Sequence, residues 1–395
     1  MKVFKITVCF WVFLLFACQR KNLPVIVQPS NPSLSVAIAT KKDTLPAQVK
    51  PTQIAVPLDS DRFYKQAYSE LSQMLSGRIP LDFKRAVFVT ENAYYDNKLN
   101  YEDFSGQISA LTVFAGKVSQ SKKLVYNYSD SLKIQKMAAA FSMMKDTFVV
   151  IDSTNHFRVI LPYSYDFDDF TASKDWSKMF VTKLLKYHSG NCHSLPFLYK
   201  IVVEEMGETA HLALAPNHIY LKLYSQKDGW YNTELTSGSF PIDAWLMASG
   251  YIHLSAIQNG IYMDTLSLRQ SVALCVVDLA QGYKRKFGND SAGFVLQCCN
   301  LALQHFPVYI NALILKAETE KNVFESYMKV NHIIYPKDAL SNTSARNLYD
   351  DFEKLYAKIY ELGYRKIPDE MYAQWLSELN VEKEMYNNRK ISTFK

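Results

Sequence analysis

The chain has 395 residues, 48% of them hydrophobic and 21% charged, so it is too apolar for a disordered chain and long enough for more than one core. Its formal charge of +6 at pH 7 arises entirely before residue 59, where Lys2, Lys5, Arg20, Lys21, Lys41, Lys42 and Lys50 stand against Asp43 alone. Residues 59–395 are therefore net neutral, and a neutral globular part without a basic stripe argues against nucleic acid as a partner.

In chain order, Lys2 and Lys5 form a positive start, and Val8 to Phe16 is an apolar run too short to span a bilayer comfortably. It closes on Leu15-Phe16-Ala17-Cys18, which resembles the lipobox of bacterial lipoproteins. That resemblance implies cleavage before Cys18, lipidation of Cys18, and anchoring by acyl chains with the fold outside the cytoplasm. Gln19, Arg20 and Lys21 lack the acidic cluster of a surface-export tag, so a periplasm-facing position is expected, at the outer membrane more than the inner. Residues 19–58 carry Pro24, Pro29, Pro32, Pro46, Pro51 and Pro57 among polar residues and read as a disordered tether.

The remainder divides into three regions by pattern. Residues 59–150 read as helical: Phe63, Ala67, Leu71 and Met74 recur at helical spacing up to the Ser76-Gly77 break, followed by segments at Phe83–Val89, Tyr101–Leu111 and Leu132–Met144. Within residues 151–262, Phe180–Tyr187 is helical and leads into a turn at Gly190. A helix is expected from Cys192 to Met206, with Leu195, Leu198, Val202 and Met206 on one stripe and Gly207 as its stop. The period then becomes two, with Ile219, Leu221 and Leu223 alternating with His218, Tyr220, Lys222 and Tyr224; Asp228-Gly229 turns the chain into a strand over Trp230–Leu235. This predicts a helix followed by an antiparallel hairpin. Residues 263–395 return to helix from Leu268 on, and the Ala302–Pro307 stop before Tyr309-Ile310-Asn311-Ala312 resembles a boundary between tetratricopeptide units. That region is expected to fold as a separate module, severable near residue 268.

After Cys18 the cysteines are Cys192, Cys275, Cys298 and Cys299, too few for a disulfide framework. Cys275 sits in an apolar run, and Cys298-Cys299 in a helical stretch; all three read as packing residues. Cys192 is different. It stands in Gly190-Asn191-Cys192-His193-Ser194 at a helix opening, where the macrodipole and an imidazole favour thiolate. His218 in Pro216-Asn217-His218 and Glu234 in Trp230-Tyr231-Asn232-Thr233-Glu234 follow, and the order Cys…His…Glu supplies nucleophile, base and orienter. His188 and His193 beside Cys192 lack the paired short spacings of a zinc site, so neither metal nor cofactor is expected.

With those motifs, the chain resembles the transglutaminase-like branch of the papain-like cysteine hydrolases, in a bacterial lipoprotein subgroup with tetratricopeptide-like repeats after the core. Asp82-Phe83-Lys84-Arg85-Ala86 and Lys98-Leu99-Asn100-Tyr101 also resemble that subgroup's helical N-terminal region, so the likeness covers most of residues 60–320. It implies an α+β fold: a helical N-terminal region, a transglutaminase-like core of one helix packed on an antiparallel sheet, and C-terminal helical repeats. It further implies a Cys192, His218, Glu234 triad for acyl transfer, hydrolytic more than cross-linking, on a protein or peptide substrate. Aspartate is commoner at the third position, and Asp243 is a weaker substitute for Glu234. The alternative is a catalytically silent scaffold that binds a protein partner through its repeats.

Overall fold

A computed structural model describes residues 60–121, 124–151, 157–366 and 371. The leader, Cys18, the whole tether and nearly all of the last thirty or so residues lie outside them. Four helices come first: α1 (Ser60–Ser76), α2 (Phe83–Tyr94), α3 (Tyr101–Ser121) and α4 (Ser131–Lys145). Asp82 starts α2 by accepting the Arg85 N–H at 2.9 Å, the expected use of a short acidic side chain at an N-cap. A hairpin of β1 (Phe148–Ile151) and β2 (Phe157–Ile160) follows, then β3 (Ser164–Tyr165). The central part is α5 (Val181–Tyr187), β4 (Ser189–Gly190), α6 (Ser194–Glu205), β5 (His211–Ala215), β6 (His218–Ser225), β7 (Gly229–Thr233), α7 (Asp243–Ser249) and α8 (Leu254–Gln258). The rest is helical: α9 (Leu268–Phe287), α10 (Ala292–His305), α11 (Ile310–Val330), α12 (Pro336–Ala339) and α13 (Thr343–Glu361). The architecture is mixed α+β, mostly helix with small sheets, and none of the described helices is long and apolar enough to cross a membrane.

The sheet that carries the site has the order β5-β6-β7, antiparallel throughout. It contains one strand more than the expected hairpin. β5 reads His-Leu-Ala-Leu-Ala and is buried on both faces, so it shows no polar alternation and little β-branched character. Its outer edge is covered by the segment before α9, where Met263 N–H donates to Leu214 O (2.9 Å) and Leu266 N–H to Leu212 O (2.8 Å). The helix α6 also departs from the predicted stripe. Every residue from Ser194 to Val203 is buried, because α3, α4 and α5 pack around α6 on one side and β5 and β6 on the other. Even Lys200 is enclosed, its ammonium bonded to the Ala210 carbonyl at 2.8 Å.

The core does not break at residue 263. One continuous apolar cluster joins Tyr64 in α1 and Phe88 in α2 to Leu198 in α6, Leu221 in β6, and Val276 and Leu313 in the C-terminal helices. The helix α9 lies against α1 and α2, so the expectation of a severable module from residue 268 is not met. A capping box at Ser267 and Gln270 gives α9 a clear sequence-coded start, yet its buried face completes a core begun two hundred residues earlier. Phe324, Ala339, Ala345 and Phe352, between α11, α12 and α13, form a satellite of their own, and Ala172, Trp176 and Phe180 form another.

Candidate active site

Gly190 closes β4, which pairs in parallel with β3. A Cβ at Gly190 would meet the Ser194 Oγ at 2.4 Å and Leu184 Cδ1 at 2.9 Å, so only glycine admits this tight return onto α6. Asn191 is fully buried and organises the turn. Its Oδ1 accepts the N–H groups of His193 (3.0 Å) and Ser194 (3.2 Å), while its Nδ2 donates to Phe170 O (3.0 Å). The helix begins at Ser194, two residues later than the sequence predicts, and Cys192 occupies the turn between the asparagine and the helix. Among the described residues no hydrogen bond takes up the Cys192 N–H. The thiol is half-buried and free.

The turn from β5 to β6 brings the histidine. Pro216 and a left-handed Asn217 (φ 54°) link Ala215 to its cross-strand partner His218, as proline and then a positive φ do in a type II turn. The Asn217 carbonyl lies 3.8 Å from Cys192 Sγ, which sets the thiol alongside the next residue, His218. The Glu234 carboxylate hydrogen-bonds the imidazole, and the Cys192 thiol stands close enough to act on it. Its Nε2 faces Glu234 Oε2, and because a carboxylate only accepts, Nε2 carries the proton and Nδ1 is left for the thiol.

Glu234 sits one residue beyond β7, with its backbone paired to Ser239 in both directions (2.9 and 3.1 Å). The extra methylene reaches back to His218 with one oxygen, and the other accepts Thr236 N–H at 2.8 Å and Thr236 Oγ–H at 2.7 Å. Lys145, at the end of α4, donates to the neighbouring Leu235 carbonyl at 2.9 Å. Asp243 is engaged elsewhere, with Asn232 Nδ2 at 2.7 Å and Lys222 at 3.6 Å, and not with His218. Exposure grades across the set: the Glu234 side chain is 6% exposed and that of His218 26%, with the half-buried thiol beyond them.

Burial pulls the His218 imidazole down, but the Glu234 carboxylate and the Cys192 thiol outweigh it and hold His218 well above its usual range. Burial likewise pushes Glu234 up, and His218 with the Thr236 donors brings it below the usual carboxylate range. A buried pair arranged this way favours imidazolium–carboxylate beside the thiol. By contrast, burial pushes Cys275 and Cys298 well up, and Cys299 up to about 12.

Behind the Cys192 turn lies a group that sequence patterning does not reveal. His193 Nδ1 contacts Met179 O at 2.9 Å and its Nε2 contacts Asp278 Oδ2, from α9, at 2.9 Å. Glu91, buried in α2, accepts the first N–H groups of α5, Val181 (2.7 Å) and Thr182 (2.9 Å). Nothing local marks Glu91, which stands between Thr90 and Asn92 in the sequence. Among the described residues, no cluster of His, Cys, Asp or Glu is arranged to hold a metal ion.

Burial raises Glu91 to about 7 from its ordinary 4.5, against the pull of the Thr182 and Val181 donors. Between those values the folded chain keeps a proton that the unfolded chain has lost, so stability should fall as pH rises through that window. The loss is on the order of 3 kcal/mol. His193 and His218, both raised, contribute in the same direction above pH 6.5. The melting midpoint should therefore drop from pH 5 to pH 8. Glu91→Gln should lower it at pH 5, where one acceptor is lost, and flatten the profile; a midpoint that rises with pH would contradict the assignment.

No family model matches this chain, and neither a curated protein nor a solved structure does.

Proposed function

We propose that the chain is a thiol acyl-transfer enzyme of the transglutaminase-like branch of papain-like cysteine hydrolases, acting on amide or ester bonds of a protein or peptide. The observation that carries this reading is the position of His218, bonded to the Glu234 carboxylate and next in the chain to Asn217, whose carbonyl lies 3.8 Å from Cys192 Sγ. The helix α6 packed on β5-β6-β7 is consistent with a papain-like core, and the α10–α11 pair with a tetratricopeptide-like unit.

In the first half-reaction Cys192 Sγ attacks the acyl carbon as a thiolate, its proton already held on Nδ1 of the His218 imidazolium. The bond to the leaving amine or alcohol then breaks, His218 returns the proton to that group, and a thioester remains on Cys192. The unpaired Cys192 N–H is a donor for the oxyanion formed on the way. In the second half, His218 takes a proton from water, the resulting hydroxide attacks the thioester, and the acid leaves as Cys192 returns to its thiolate. Water needs no dedicated acceptor site, which favours hydrolysis over amine transfer.

The test is alkylation of the intact protein by iodoacetamide at pH 6, read by peptide mass mapping. Cys192 should be modified rapidly while Cys275, Cys298 and Cys299 stay intact. A Cys192 that reacts no faster than a free thiol peptide would leave the silent-scaffold reading in place.

We place this enzyme in the cell envelope, held through a lipidated Cys18 and facing the periplasm, on the strength of Leu15-Phe16-Ala17-Cys18. Cys18→Ser should leave the precursor unprocessed or release the protein from the membrane fraction. Normal processing with unchanged membrane association would overturn the anchor.

A further inference from the structure

His193 follows Cys192 directly, yet its partners exclude it from proton transfer. Met179 O lies 2.9 Å from its Nδ1, and Asp278 Oδ2 lies 2.9 Å from its Nε2. A carbonyl and a carboxylate only accept, so both ring nitrogens carry protons and the pair is imidazolium–carboxylate. Burial pulls His193 down, but Asp278 and the Met179 carbonyl outweigh it and hold the imidazole above its usual range. Both side chains of the pair are 13% exposed, and the Phe197 ring stands 4.1 Å from the imidazole between ring centres. At His218, by contrast, Glu234 takes Nε2 and Nδ1 is left for the thiol.

A largely buried ion pair is a poor source of stability. Both charges must be desolvated to make it, and apolar groups of similar volume often serve a fold as well or better. What the pair supplies is direction. Two fixed donors tie the Cys192 turn to Met179, just before α5, and to Asp278 of α9. Asn191 holds the same turn from within, through the N–H groups of His193 and Ser194. Cys192 Sγ itself has the Asn217 carbonyl at 3.8 Å, a weak contact, so its placement against His218 depends on how firmly the turn is held.

We propose that His193 and Asp278 are positioning residues for the nucleophile: they set Cys192 Sγ against His218, and through them α9 belongs to the catalytic apparatus as well as to the core. This role rests on the acyl-transfer reading. It gives the two histidines separate tasks, His218 moving a proton and His193 keeping both of its own.

The test is the double variant His193→Phe/Asp278→Leu in the full chain, which exchanges the pair for apolar groups. At pH 6 the neighbouring Glu91, raised to about 7, keeps its proton, so no charge is left unpaired there. The melting midpoint should stay within about 4 °C of the parent's. Cys275, Cys298 and Cys299 should remain shielded from iodoacetamide, while labelling of Cys192 slows about tenfold or more. Asp278→Asn should keep most of the parent rate, because its amide can donate to the ring nitrogen that then loses its proton. A pair that served only the fold would give the reverse: a large fall in melting and faster labelling of all four cysteines as the chain opens. That result, or labelling of Cys192 at the parent rate in the double variant, overturns the proposal and leaves the acyl-transfer reading standing. A rate in Asp278→Asn as low as in the double variant assigns the effect to charge and overturns the positioning role. A parent Cys192 no more reactive than a free thiol peptide overturns both readings together.

Discussion

His218→Ala should slow alkylation of Cys192 by iodoacetamide at pH 6 by roughly a hundredfold or more. A free thiol at the reference value of about 8.5 is only about 0.3% thiolate at that pH, and His218→Ala removes the base that takes up the thiol's proton. Hydrolytic turnover should fall further, by about 10²–10⁴-fold, because the same Nδ1 also returns the proton to the leaving group. Glu234→Gln should cost less than His218→Ala. The amide oxygen can still accept Nε2–H, but it cannot at the same time serve the Thr236 N–H and hydroxyl that the carboxylate now holds at 2.8 and 2.7 Å. The variant therefore keeps an oriented ring at the expense of the Thr236 contacts. The check is the second-order labelling rate of both variants between pH 5 and 8. Equal rates in the parent and His218→Ala would mean that the imidazole does not act on the thiol.

The second large effect is on folding. Deleting the chain from Leu268 onward should abolish cooperative unfolding of what remains. The helix α9, packed between α10 and the α1 and α2 helices, buries Val272, Leu274, Val276, Val277 and Leu279, each at most 1% exposed. At about 1.5–3 kcal/mol per side chain, their loss is on the order of 10 kcal/mol, comparable with the whole stability of an ordinary domain. The deletion also removes Asp278 from His193, leaving a buried imidazole behind the Cys192 turn without its partner. Thermal unfolding followed by circular dichroism decides the matter, and a sharp transition in the truncated chain would show the N-terminal helices and the sheet to be self-sufficient.

Much of the local structure was legible because it depends on neighbours in sequence. Period-two alternation placed β6, the Asp228-Gly229 turn placed β7, and Gly207 (φ 78°) stands after α6 where a glycine was expected. The Gly-Asn-Cys turn was recognisable as a special site, and the reason for its glycine and asparagine is steric and hydrogen-bonded within a few residues. Signals of this kind did not reach β5 or the full burial of α6. An element enclosed on all sides loses the polar–apolar rhythm by which a sequence betrays it.

The sequence by itself determined the order of thiol, imidazole and carboxylate, the turns that hold them, and the neutral charge of the folded part. Only the tertiary structure decided that the three side chains meet: Cys192 comes from the turn before α6, His218 from the start of β6, and Glu234 from just beyond β7. It also decided that Asp243 is turned away to Asn232 and Lys222, that Glu91 and Asp278 stand behind the Cys192 turn, and that the C-terminal helices share the core instead of standing apart. Turns, caps and strand alternation are set by bonds and clashes within a few residues, whereas these meetings are set by which apolar faces cover one another across the whole chain, and no local period records that choice.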